Sequence, residues 1–237
     1  MKKIIKKYFP KFIYKLFHPN FILFLIRQRL IGFNIPTTPH FESLETTEWF
    51  KGELKKCTGY IEYGAGGSTY LAAQIGIPFI SIESDKWFIK CLKSRIALDK
   101  KLNELSQIYH HADIGLTGPW GQPVILIKPS LKRLGKFAKY SEPPYFLLPK
   151  SFEPNLILID GRFRVACALK TIKKFKDKQG WTILVDDYLD RPKYKIIEKY
   201  AKISSLIGKM AVFNSLSEDF NSEKLDNSIE QYEIVPD

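Results

Sequence analysis

Two periodicities alternate along the chain, and each change of period marks a new element. The run TGYIEYG (58–64) is short, apolar and closed by glycine, which predicts a buried strand. GSTYLAAQIG (67–76) has helical spacing and stops at Gly76. PFISIESD (78–85) predicts a second strand, after which Trp87, Phe88, Cys91, Leu92 and Ile96 repeat at helical spacing. SQIYHHAD (106–113) is a weaker third strand and NLILIDG (155–161) a strong fourth. Val165, Ala168, Leu169 and Ile172 then form an i, i+3, i+4, i+7 stripe. WTILVDDY (181–188) predicts a fifth strand, and YKIIEKYAKISSLIG (194–208) a further helix. KMAVFN (209–214) and EQYEIVPD (230–237) predict two closing strands with no clear helix between them, hence an antiparallel pair at one edge. Strand alternating with helix predicts an α/β fold with a mainly parallel sheet covered on both faces.

The first 33 residues follow neither pattern. They interleave bases with Ile4, Ile5, Tyr8, Phe9, Phe12, Ile13, Leu16 and Phe17, and then with the run FILFLI. That run has six residues, against ~20 for a spanning helix and ~7–15 for the core of a signal peptide, so neither is expected. Pro10 and Pro19 interrupt any single long helix. The net charge of +12 concentrates here: residues 1–41 carry eight bases (Lys2, Lys3, Lys6, Lys7, Lys11, Lys15, Arg27, Arg29) and no acid. The division expected is a basic amphipathic extension over 1–41 and one α/β domain over 42–237. The extension either packs as short helices against the body or lies on an anionic membrane surface through residues 1–33. No recognition motif for nucleic acid accompanies it. The 17 Phe, 12 Tyr and 4 Trp exclude a disordered chain. Cys57, Cys91 and Cys167, with no CxxC pair, read as free thiols in a reducing, cytoplasmic setting.

In parallel sheets ligands bind at the carboxyl ends of the strands, near the point where strand order reverses. Those ends here are Glu62 to Ser68, Glu83 to Asp85, Asp113, Asp160, and Asp186 with Asp187, and every one carries an acid. The loop Glu62-Tyr63-Gly64-Ala65-Gly66-Gly67-Ser68-Thr69 lets the backbone turn tightly and lets a ligand approach it. Glu83, nineteen residues after Gly64, is placed to accept both hydroxyls of an adenosine ribose. A dinucleotide site wants GxGxxG, and its last glycine would fall at Thr69. An acid at Glu62, two residues before the first glycine, suits a cofactor bearing a cationic amine.

These segments resemble the class I S-adenosylmethionine-dependent methyltransferases over roughly residues 42–237. IEYGAGGST is similar to their first motif, SIESD to their second, and YHHADIG to the acid that faces the adenine. The resemblance implies a Rossmann-like methyltransferase fold, with a seven-stranded sheet whose last strand is antiparallel. It implies that Gly64 and Gly66, with Gly67 and Ser68, line the methionine part of the cofactor, and that Glu62 reaches its amino group. Glu83, with Ser84, would hold the ribose, and Asp113, with Ile114, the adenine. Asp160 would also border the cofactor.

The fourth and fifth strands should be neighbours, so Asp160, Asp186 and Asp187 should converge. They are the catalytic candidates, either as a general base or as ligands of a divalent metal. Their placement is similar to that in metal-dependent catechol-type O-methyltransferases, which carry Asp-Asn where this chain has Asp186-Asp187. Arg162, Arg164 and Arg191 are candidates for holding a carboxylate or phosphate on the acceptor, and Tyr188 and Trp120 for lining its site. The stretch 114–155, rich in proline, glycine and aromatics, reads as a lid or acceptor loop. His110 and His111 receive no role. The expected function is methyl transfer, chiefly to oxygen, on a small-molecule, glycan or lipid-linked acceptor, on the cytoplasmic side or at the inner face of the membrane. The alternatives are a non-catalytic methyltransferase-like module and, further off, a NAD-dependent oxidoreductase.

Overall fold

The computed structural model describes residues 18–125, 128–142 and 152–236. The basic stretch 1–17 and the part of the long loop over 143–151 lie outside them. Seven strands form one sheet: β1 (Tyr60–Tyr63), β2 (Phe79–Glu83), β3 (Gln107–His111), β4 (Leu156–Ile159), β5 (Thr182–Val185), β6 (Ala201–Ile207) and β7 (Met210–Leu216). Their order is β3-β2-β1-β4-β5-β7-β6. β1 to β5 are parallel, and β7 runs antiparallel to both β5 and β6. The expected sheet is therefore present, with one antiparallel strand.

The two closing elements differ from the sequence reading. Residues 194–208 are not one helix. A 3-10 stretch (Pro192–Lys199) ends at Tyr200, and β6 follows directly. β6 then turns through Gly208, at φ +57, into β7. The C-terminal run is not a strand either. Ser222–Tyr232 is a helix, started by Asn221, whose side chain accepts from the Lys224 amide, and it buries Leu225 and Ile229 one turn apart.

Strands β1, β2, β4 and β5 are covered on both faces, which is why they read as unbroken apolar runs. Helices α2 (Leu44–Lys56), α3 (Gly67–Ile75) and α4 (Lys86–Leu98) cover one face, burying Phe50, Leu54, Ala72, Leu92 and Ile96 against Tyr60, Phe79 and Leu158. Helices α5 (Leu131–Tyr140), α6 (Arg164–Phe175) and α7 (Ser222–Tyr232) cover the other, burying Phe137, Leu169 and Ile229 with Ile61, Ile82 and Val185. Each such Leu, Ile, Val or Phe side chain contributes about 1.5–3 kcal/mol.

Before this body lies α1 (Pro19–Ile26), continued by a π-helical turn (Arg27–Ile31). It packs on α4: the buried Gln28 donates to Asp85 Oδ2 at 2.6 Å, and the Phe33 ring meets Phe88 edge-on at 5.4 Å. Among the described residues no helix is long and apolar enough to cross a membrane.

Candidate functional site

Strand order reverses at β1, whose neighbours β2 and β4 lead to opposite wings of the sheet. The turn after β1 is the glycine loop. Gly64 adopts φ +97, which a side chain would strain. A Cβ there would also lie 2.6 Å from the Gly161 Cα, so the loops after β1 and β4 touch backbone to backbone. A Cβ on Gly66 would meet nothing within 4 Å, so the crest of the loop is open. Gly67, the first residue of α3, packs against the Thr38 carbonyl.

Glu62 lies beneath this loop, fully buried. Its carboxylate accepts from the Tyr60 hydroxyl at 2.9 Å, from Ser68 at 2.6 Å and from Thr69. Burial pushes its pKa up to about 7, against these three hydroxyls. Ser68 and Thr69 thereby tie the start of α3 to β1. Glu83 ends β2 nearly buried. Its Oε1 accepts from the amides of Ser84 and Asp85 and from the Ser84 hydroxyl, and its Oε2 from the Ala65 amide at 3.1 Å. Burial raises its pKa. Each carboxylate oxygen has two lone pairs, and Oε2 accepts a single bond, so it keeps one acceptor position free. The turn Pro119–Gly121 lies over this end, with the Gly121 carbonyl 3.2 Å from the Ser84 hydroxyl. Asp113, after β3, is half exposed and paired with Lys136 at 2.5 Å, which holds its pKa below the ordinary carboxylate value. Ile114 beside it is fully buried.

On the other wing the three aspartates do converge, and at their centre is Arg164. Its side chain, 4% exposed, lies 3.0 Å from Asp160 Oδ1 and 3.2 Å from Asp187 Oδ2. It also donates to the carbonyls of Gly161 at 3.1 Å and Asp186 at 2.7 Å. Asp160 does not cap α6, whose N-cap is Phe163 without a side-chain bond; it pairs with Arg164, the first residue of that helix. Burial lifts Asp160 to about 6, with Arg164 pulling the other way, and lifts Asp186 to about 7, with the charges of Asp160 and Asp187 adding to it. Asp187, at φ +54, also binds Arg191 at 3.2 Å. Arg162 is half-buried at the mouth of this cluster, and the Nε atoms of Arg162 and Arg191 are buried without a partner. Tyr188 faces the core instead, packed on Phe213, with its hydroxyl donating to Glu198 at 2.8 Å. Trp120 is 77% exposed, at φ +59, edge-on to His40.

No protein-family model and no curated protein matches the chain. Solved structures do. A methyltransferase-like protein from Silicibacter pomeroyi superposes with a TM-score of 0.67 at 27% identity, over 83% of this chain and 98% of that one. By fold, the chain belongs to the class I methyltransferase superfamily. An O-methyltransferase from Bacillus cereus solved with S-adenosylhomocysteine is similar at 12% identity and a TM-score of 0.45, over 87% of this chain and 96% of that one. The O-methyltransferase TomG from Streptomyces achromogenes, solved with S-adenosylmethionine, is similar at 12% and 0.42, over 87% and 95%. Likeness that distant carries no weight for the chemistry.

Within this methyltransferase fold a divalent metal does not fit the acid cluster as it stands. Arg164 already supplies a cation to two of the three carboxylates, and among the described residues no three Asp, Glu, His or Cys side chains are grouped so that they could hold a metal ion. An adenosyl cofactor fits better: the open crest at Gly66, the left-handed turn at Gly64 and the remaining acceptor on Glu83 face the switch point together. Two residues escaped the sequence reading. Arg133 donates to the carbonyls of Ile114, Leu116 and Val124 and so fixes the loop over Glu83. The Tyr140 hydroxyl accepts from the Arg162 amide at 3.1 Å and so ties α5 to the β4 loop. Neither carries a motif; only the Asp160–Arg164 spacing of four was open to view.

Proposed function

We propose that the protein transfers a methyl group from S-adenosylmethionine to an oxygen of a small-molecule, glycan or lipid-linked acceptor. The observation that carries this reading is the pairing, across one backbone contact, of an open glycine turn with a cluster of carboxylates held by Arg164. The cofactor would be held by residues 64–68 and Glu83, and when bound it supplies an electrophilic methyl on a sulfonium. Asp160 takes the proton of the acceptor hydroxyl. A base works best with a pKa near the operating pH, and about 6 suits that task. Arg164 fixes the orientation of Asp160 and Asp187, and alignment of the acceptor supplies much of the rate. Arg162 and Arg191 stand beside the cluster for an anionic group on the acceptor. The free cysteines Cys57, Cys91 and Cys167 suit a cytoplasmic setting.

A non-catalytic module of the same fold is the second reading, favoured by Lys136 on Asp113 and by the turn over Glu83. NAD chemistry is disfavoured, because Thr69 stands where that fingerprint takes glycine and its hydroxyl is bound to Glu62. Calorimetric titration with S-adenosylmethionine, S-adenosylhomocysteine and NAD separates the three. Binding of the adenosyl pair alone supports transfer, binding of NAD alone refutes it, and binding of none moves the assignment to the module. Once an acceptor is known, Asp160→Asn should slow turnover roughly a hundred- to ten-thousand-fold. Cofactor affinity should stay within a few-fold. An unchanged rate removes Asp160 from the mechanism.

A further inference from the structure

Helix α1 and its π-helical turn have two unlike faces. The inner face, with Phe24 and Gln28, packs through Phe33 and Asp85 onto the body. The outer face is apolar and bare: Leu23 is 62% exposed, Leu30 81% and Ile31 76%, with Ile22 and Ile26 also exposed. No other ten-residue window of the described chain holds so many exposed large apolar side chains. A soluble surface scatters such residues singly, so a cluster marks a contact site. Leu23, Arg27, Ile31 and Phe33, with Gly32 and Asn34, also line an open depression of about 520 Å³.

The charge around this face has one sign. Arg27 and Arg29 are exposed and have no ion-pair partner among the described residues. The six lysines of residues 1–17 precede them, and the first acid of the chain is Glu42. Apolar side chains ringed by bases alone are complementary to a surface with a hydrocarbon interior and anionic headgroups.

We propose that the outer face of α1 and its π-helical turn docks on an anionic phospholipid bilayer. Leu23, Ile26, Leu30 and Ile31 enter the boundary of the acyl region, and Arg27 and Arg29 meet the phosphates. The site lies alongside. Phe21 of α1 approaches Gly118, the residue before the turn that covers Glu83. Docking therefore brings the acceptor loop to the lipid surface, which suits a lipid-linked acceptor under the proposed function. Bilayer binding itself is independent of methyl transfer and is measured without it.

The test is co-sedimentation of the full chain with vesicles of phosphatidylcholine alone and of phosphatidylcholine mixed with phosphatidylglycerol. Binding is expected to the mixed vesicles only, and salt should weaken it. The variant Leu23→Ser/Leu30→Ser/Ile31→Ser alters exposed positions and should leave the melting temperature unchanged. It should lower the partition coefficient at least about tenfold, given the apolar area each side chain buries. Arg27→Gln/Arg29→Gln should lower it by about tenfold or more on the anionic vesicles. Absence of binding by the parent protein overturns the proposal. So does parent-level binding by the serine variant, which would leave the attraction to the N-terminal lysines. A parent dimer that the serine substitutions dissociate also overturns it, because the occupant is then a second copy of the chain.

Discussion

Replacing Glu62 by glutamine should change how stability depends on pH and little else. The carboxyl is fully buried, and its pKa stands at about 7 against an ordinary 4.5. A group raised in the folded state stabilises the fold while both states are protonated, below about 4.5, and that contribution is lost as pH rises through about 7. At about 1.36 kcal/mol per pH unit, the loss between about pH 5 and about pH 8 is roughly 2.5 kcal/mol. Glutamine has nearly the same shape. Its carbonyl can keep the Tyr60 and Ser68 hydroxyls, and its amide can donate to Thr69. Glu62→Gln should therefore match the parent near pH 5 and exceed it by up to roughly 2.5 kcal/mol near pH 8. Urea unfolding, followed by fluorescence of the four tryptophans, measures both proteins across that range. The acids Asp160 and Asp186 add the same sign of slope to both, so the difference between the curves isolates Glu62. Parallel curves would refute the reasoning.

Arg164→Met should leave the three aspartates without their central cation and cost ~3–5 kcal/mol, the usual result of breaking a buried ion pair from one side. The cost should shrink at acid pH as Asp160 and Asp186 protonate, and a cost independent of pH in urea titrations would count against the cluster. Gly66→Ala and Gly161→Ala should behave oppositely. The first, with open space around its Cβ, should leave the melting temperature within a degree or two while weakening S-adenosylmethionine binding in calorimetry. The second would press on the Tyr140 hydroxyl and the Gly64 amide, and should destabilise the fold by about 1–3 kcal/mol.

The strands that form the centre of the sheet were legible because both of their faces are buried. YIEY, FISIE, LILI and TILV show as apolar runs whatever the register. β6 was not, because it is an edge strand with most side chains in solvent. Its Ile203, with Tyr200 and Ile196, fits a helical stripe as well as a strand face. The C-terminal helix hid for the opposite reason: EQYEIVP alternates over its last residues, while the signals that start it, Asn221 with Leu225 and Ile229, lie earlier. At the site, the topology of the strand ends brought Asp160, Asp186 and Asp187 together as the spacing implied. Direction of side chains was beyond the sequence. Glu62 and Tyr188 turn into the protein, Asp113 turns to Lys136, and Arg164 turns inward to the acids. Which partner a charged group selects depends on neighbours distant along the chain, such as Lys136 at 23 positions from Asp113.

Gly64 and Gly161 meet backbone to backbone, and a close-packed contact of that kind transmits strain. A shift of the β4 loop by a few tenths of an ångström has no flexible group to absorb it and must reappear in the glycine turn. Changes engineered through the backbone of residues 160–163 would therefore also alter the glycine turn after β1.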